Sequence, residues 1–139
     1  MAIANQEMIR DNNRRQVLEY IVNNPPVSRA ALAKELHLTK ATISNIVQDL
    51  MEQNLVAEIG SAQTALGRKP ILLEFQKKCG YAFSIDVHPR QIITLISDLK
   101  GEDCHLKEYP FQEEDCLLEL LRSIIKETLP RCQNAPYGI

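Results

Sequence analysis

Several features are scarce in this sequence, and each scarcity closes off a class of function. Neither charge is in excess: sixteen Lys and Arg stand against eighteen Asp and Glu, a net of −2. The chain as a whole is therefore not a polybasic nucleic-acid or membrane binder, and any such surface must be local. There is no apolar run of the roughly 18 residues a membrane helix requires, and Met1 to Arg10 lacks the apolar centre of a signal peptide. A cytoplasmic protein with no membrane partner is expected. Cys79, Cys104, Cys116 and Cys132 lie 25, 12 and 16 positions apart, with no Cys-x-x-Cys and no His pair at zinc-ligand spacing. Reduced thiols are expected, with no metal, no disulfide framework and no cofactor. Aromatic residues make up 5% of the 139 positions, against 45% hydrophobic residues overall. Such a chain buries the core of one domain or of two small ones, which excludes a large two-lobed enzyme.

The charge that is present divides along the chain. Residues 1–78 carry ten Lys/Arg and eight Asp/Glu, whereas residues 79–139 carry six and ten, so the first part is net positive and the second net negative. Two modules with a boundary near Lys77-Lys78-Cys79-Gly80 are expected. No internal repeat or low-complexity tract is found.

Three helical patterns follow one another in the first module. Val17, Leu18, Ile21 and Val22 form one apolar stripe in a helix over Asn13 to Asn23, which Asn23-Asn24-Pro25-Pro26 ends. Ser28 is a good N-cap for a short helix from Arg29 to Leu36, with Leu32 and Leu36 on one face. After His37-Leu38, Thr39 caps a third helix from about Lys40 to Gln53, with Ile43, Ile46, Val47 and Leu50 at helical spacing. Its other side carries Lys40, Thr42, Ser44, Asn45 and Gln48, residues able to reach base edges and phosphates. Two helices joined by a tight turn, the second with a polar N-terminal half, make a helix-turn-helix. Two β-prone runs, Leu55 to Ile59 and Ile71 to Phe75, then flank a glycine-bearing stretch and complete a winged version of it. Gly67-Arg68-Lys69-Pro70 in that wing suits entry into a narrow minor groove.

The second module reads as β-β-β-α: strands over Tyr81 to Val87, Gln91 to Leu99 and about Cys104 to Tyr109, then an amphipathic helix from Glu113 to Leu129. Ala135 to Ile139 reads as the first residues of a fourth strand. The fold class is thus α+β.

Four segments, Asn13-Arg14-Arg15-Gln16-Val17-Leu18, Ser28-Arg29-Ala30-Ala31-Leu32-Ala33, Leu38-Thr39-Lys40-Ala41-Thr42-Ile43-Ser44 and Gly67-Arg68-Lys69-Pro70, resemble the N-terminal winged helix-turn-helix of repressors of the ROK family (repressor, open reading frame, kinase). The resemblance covers Asn13 to Phe75 almost continuously. It implies that residues 79–139 are the truncated start of an actin/hexokinase-like sugar-kinase domain. In that domain the first hairpin carries an Asp-Ile-Gly-Gly-Thr phosphate loop, where this chain has Asp86-Val87-His88-Pro89. Only the Asp is kept, and the Pro removes a donor amide, so Asp86 reads as a turn or strand-end residue. The sugar-binding, catalytic and zinc residues of the family would fall beyond Ile139. No enzyme activity is expected, and a sugar effector is expected only if a longer chain exists.

The function expected on these grounds is a transcriptional regulator of carbohydrate-utilisation genes, bound as a homodimer to double-stranded DNA at an A·T-rich operator. Ser28 and Arg29 would hold phosphates at the start of the second helix. Lys40, Thr42, Ser44, Asn45 and Gln48 would enter the major groove and Arg68 and Lys69 the minor groove, with the capping Thr39 counted among the DNA-binding residues. The alternative is a protein-interaction or dimerisation module without DNA binding of its own, using an open sheet edge and the apolar last helix.

Overall fold

A computed structural model describes residues 2–61, 70–112 and 115–139. The chain divides into two compact units, residues 1–76 and 77–139.

The first unit packs three helices against a small sheet. Helix α1 spans Ala2–Asn23, α2 Arg29–Glu35 and α3 Lys40–Glu52. The strands are β1 (Val27–Ser28), β2 (Val56–Ser61) and β3 (Ile71–Phe75), antiparallel in the order β1-β3-β2. Val17 and Ile21 of α1, Leu32 of α2, four residues of α3, Val56 and Leu73 form one buried cluster. The apolar stripes of the sequence are therefore the faces that meet in the core.

The helix-turn-helix is joined by backbone geometry that lacks its usual residue. Beyond α2, His37 has φ 54, and the Leu38 N–H donates to the Ala33 carbonyl at 3.1 Å. Beyond α3, Asn54 has φ 57, and the Leu55 N–H donates to the Leu50 carbonyl at 3.0 Å. Both ends are Schellman closures, in which a left-handed residue returns the chain to satisfy the last carbonyls. Glycine is the common choice there, and its absence hid both closures in the sequence.

Three local expectations need correction. Helix α1 begins at Ala2, not near Asn13. Its apolar stripe starts only at Val17, but no Gly or Pro interrupts the residues before it, so nothing stops the helix from extending. Strand β1 was not foreseen, because two residues carry no periodicity; it is recruited by pairing Val27 with Leu73 and Ser28 with Leu72. Strand β2 runs past Ile59 to Ser61, through a register shift between Glu58 and Gly60 where Gly60 takes φ 120. A bulge with glycine at that φ lets the strand continue.

The second unit holds β4 (Tyr81–Val87), β5 (Gln91–Asp98), β6 (His105–Pro110) and α4 (Leu117–Thr128), the sheet being antiparallel in the order β4-β5-β6. Along β5, Ile92, Thr94, Ile96 and Asp98 are buried. Glu127 of α4 binds Lys107 and Tyr109, which stand opposite Thr94 and Ile92 across the ladder. Helix α4 therefore covers that face. It starts four residues later than expected: Asp115 accepts a hydrogen bond from the Gln112 N–H, and Cys116 occupies the cap position. Residues 113 and 114 lie outside the described residues. Ala135 to Ile139 is not a strand, although the Tyr137 N–H donates to the Cys79 carbonyl at 2.8 Å and the Tyr81 N–H to the Gly138 carbonyl at 2.9 Å. The tail thus touches the start of β4 in a parallel sense, but the Ala135 N–H is taken by the Cys132 carbonyl at 3.1 Å and Gly138 turns away at φ 65. The chain here is an α+β protein with two small antiparallel sheets.

Candidate nucleic-acid interface

The outer face of α3 follows from what its inner face buries. Ile43, Ile46, Val47 and Leu50 turn into the core. At 100° per residue the opposite stripe is Ala41, Asn45, Gln48 and Glu52, flanked by Lys40 and Ser44 on one side and by Thr42 and Asp49 on the other. Lys40, Ser44, Asn45 and Gln48 are exposed, whereas Thr42 is half-buried. The structure thus brings Lys40, Ser44, Asn45 and Gln48 together on one accessible face and sets Thr42 at its margin.

Thr39 and Thr42 build the start of this helix. The Thr39 Oγ1 accepts the Thr42 N–H at 3.1 Å, and the two hydroxyls lie 2.8 Å apart. The cap holds the first turn rigid, which positions Lys40 and Ser44. Gln48 donates to Glu52 at 3.0 Å, one turn along the same stripe.

The charges on α3 run against its dipole. There is no acidic residue in the first turn and no basic one in the last; Lys40 stands at the positive end, and Asp49 and Glu52 stand toward the negative one. Helix stability favours the reverse arrangement. A cation at the N-terminal end of a presented helix instead suits a polyanionic partner approaching that end.

Ser28 and Arg29 lie at the start of α2. Ser28 caps it by accepting the Ala31 N–H at 3.2 Å, and Arg29 pairs with Glu58 of β2 at 2.8 Å. Both side chains therefore have partners within the unit. Arg68 and Lys69 lie outside the described residues, between the Ser61 end of β2 and Pro70. Sequence reasoning gave Arg10 and Arg14 no role of their own. Arg10 pairs with Asp49 at 2.8 Å, and Arg14 donates to the Gln53 side chain. Their signal was faint, since neither belongs to an apolar stripe.

A MarR-family model matches residues 12–65, from within α1 into the segment after β2. A xylose repressor of Bacillus spizizenii is 37% identical over 145 residues, an alignment that takes in 100% of this chain and 37% of the relative. One from Bacillus subtilis is 34% identical over 142 residues, with 100% and 37% covered. The N-acetylglucosamine repressor of Escherichia coli is 22% identical, over 80% of this chain and 27% of its own. A solved ROK-family transcriptional regulator, described as a homologue of the E. coli MLC protein, superposes with a TM-score of 0.64 at 24% identity, covering 94% of this chain and 34% of that one.

The chain is similar to xylose repressors over its whole length and has the fold of the matching part of that ROK-family regulator.

It spans 37% of the length of the two Bacillus relatives. Asp86, which the sequence resemblance sets against a phosphate loop, is exposed on β4, and its carboxylate lies 2.9 Å from His88 Nε2. The His88 N–H is taken by the Gln91 carbonyl at 2.9 Å, closing the turn on itself. All four cysteines are free thiols; Cys79 and Cys132 are buried, and burial raises both thiols above their ordinary range. Among the described residues no helix is long and apolar enough to cross a membrane.

Proposed function

We propose that this chain is the DNA-binding part of a transcriptional repressor of carbohydrate-utilisation genes, with xylose utilisation favoured by the names of its relatives. The observation that carries the reading is the outer face of α3: an exposed row of Lys40, Ser44, Asn45 and Gln48 on a capped helix whose charge opposes its own dipole. Asn45 and Gln48 bear the side-chain amides that pair with adenine in the major groove, and Lys40 and Ser44 serve guanine or phosphate. Thr39 and Thr42 set the angle of the helix. Ser28 and Arg29 act at the phosphate backbone in second place, since their side chains already serve the fold. Arg68 and Lys69 enter the minor groove of an A·T-rich operator from the wing. Residues 79–139 form the start of a sugar-kinase-like domain, with a sugar effector read only in a longer chain. The Asp86-His88 turn offers closed backbone in place of a phosphate cradle, so the role is regulatory and not phosphoryl transfer.

The test is binding of the chain to a duplex that it selects from a randomised pool, followed by fluorescence anisotropy. Asn45→Ala and Gln48→Ala should each weaken that duplex about tenfold or more while leaving mixed-sequence DNA nearly unaffected. Arg68→Ala should cost most at A·T-rich sites. Equal loss on both kinds of DNA for the α3 variants would remove the reading-face assignment.

A second reading, dimerisation through residues 77–139, has an observation of its own. Leu95 and Leu106 stand opposite each other on the sheet face away from α4, and 36% and 63% of their surfaces are exposed. It complements the first reading, because one module of this size touches too few base pairs to define an operator.

A further inference from the structure

The N-terminal half of α1 does no work in the core. Among the described residues, the α1 side chains buried there are Val17 and Ile21, and Asn5 to Asn12 are exposed. Yet the middle of α1 lies alongside α3 and runs in the same direction. Arg10 reaches Asp49 and Arg14 reaches Gln53, each 39 positions on, so one turn along α1 matches one turn along α3. Between the helices lies a groove of about 530 Å³, walled by Gln6, Arg10 and Asn13 on one side and by Thr42, Asn45 and Asp49 on the other. The groove opens onto the face of α3 assigned above to DNA.

Asp49 is the awkward residue in this arrangement. It follows Gln48 directly and lies one turn from Asn45, so its carboxylate borders the surface that phosphates must approach. Left alone it would repel them and would also sit at the unfavourable end of the α3 dipole. Arg10 pairs with that carboxylate at 2.8 Å.

We propose that Arg10 is a positioning residue for DNA recognition: by pairing with Asp49 it masks a carboxylate at the margin of the reading face and keeps that side chain turned away from the approaching phosphates. The proposal rests on the DNA-binding reading. A surface ion pair of this kind adds little to folding, so its effect should show in binding.

The test is a double-mutant cycle on the whole chain with Arg10→Ala, Asp49→Asn and both together, measured against the selected duplex over a salt series. Arg10→Ala should weaken binding about fivefold by uncovering Asp49, with Arg10→Lys restoring most of it. Asp49→Asn should stay within about twofold of the parent, and the double variant should match Asp49→Asn. The slope of log affinity against log salt should not change, because no phosphate contact is lost. Thermal melting should be nearly the same for all four. The proposal is overturned if Arg10→Ala costs the same in both backgrounds and lowers the slope by about one, which would make Arg10 a phosphate ligand. It is equally overturned if Arg10→Ala has no effect. A parent chain that selects no duplex and binds no DNA at low salt would instead sink the DNA-binding reading itself, and this proposal with it.

Discussion

Asp98 shows how much one buried carboxylate can organise. It is 1% exposed, and its Oδ1 accepts the N–H groups of Lys100 and Glu102 at 3.0 and 2.9 Å, which shapes the turn from β5 to β6. Burial pushes its carboxyl upward, but the two backbone donors and the Lys77 ammonium, 3.6 Å away, outweigh that and hold it below the usual carboxylate range. A carboxyl lowered in the folded state binds its proton more readily when unfolded. Its stabilising contribution is therefore complete above the ordinary value of about 4 and is lost as pH falls through the lower folded value. Acid titration of thermal stability should show a decline below about pH 4 that is diminished in Asp98→Ala, and that variant should lose about 2 kcal/mol at neutral pH. An equal acid decline in parent and variant would show that other carboxylates carry the effect. None of this was legible beforehand, since a strand read through Leu99 into Lys100-Gly101 gives Asp98 no role of its own.

At the level of elements, the helix-turn-helix is shaped by its terminations as well as by its core. The stripes Ile43, Ile46, Val47, Leu50 and Val17, Ile21 were readable because a period of 3.6 survives in the sequence. The terminations were not, because His37 and Asn54 hold left-handed backbone at φ 54 and 57 without glycine's signature. A side chain with a Cβ is strained there, and His more so than Asn. His37→Gly should raise stability by about 0.5–1 kcal/mol, read from urea unfolding. A lower midpoint would mean that the His37 side chain contributes more than its backbone costs. The extension of α1 was illegible for the opposite reason: without a buried stripe it leaves no periodic trace, and only contact with α3 reveals its use.

For the whole molecule, the proposed repressor must read two half-sites, which a two-fold homodimer does when they are centred about 34–36 Å apart. Sedimentation of the chain with a palindromic duplex should give two chains per duplex, with affinity falling by about tenfold or more between 50 and 200 mM salt. A saturating complex of one chain per duplex would count against the homodimer. The net charge of −2 makes the steep salt dependence a sharp test, because any cationic surface has to be local to the first unit.

The element types, the helix-turn-helix and its polar outer face were contained in the linear pattern, because periodicity, caps such as Ser28 and Thr39, and breakers such as Pro25 and Pro26 act over a few residues. The pairing of β1 with β3, the left-handed closures at His37 and Asn54, the buried turn of Asp98 and the alignment of Arg10 with Asp49 were settled by folding. Each joins groups whose meeting depends on how distant segments pack, or on a backbone state the residue type does not announce. Thirty-nine positions separate Arg10 from Asp49, and no local rule of propensity reaches that far.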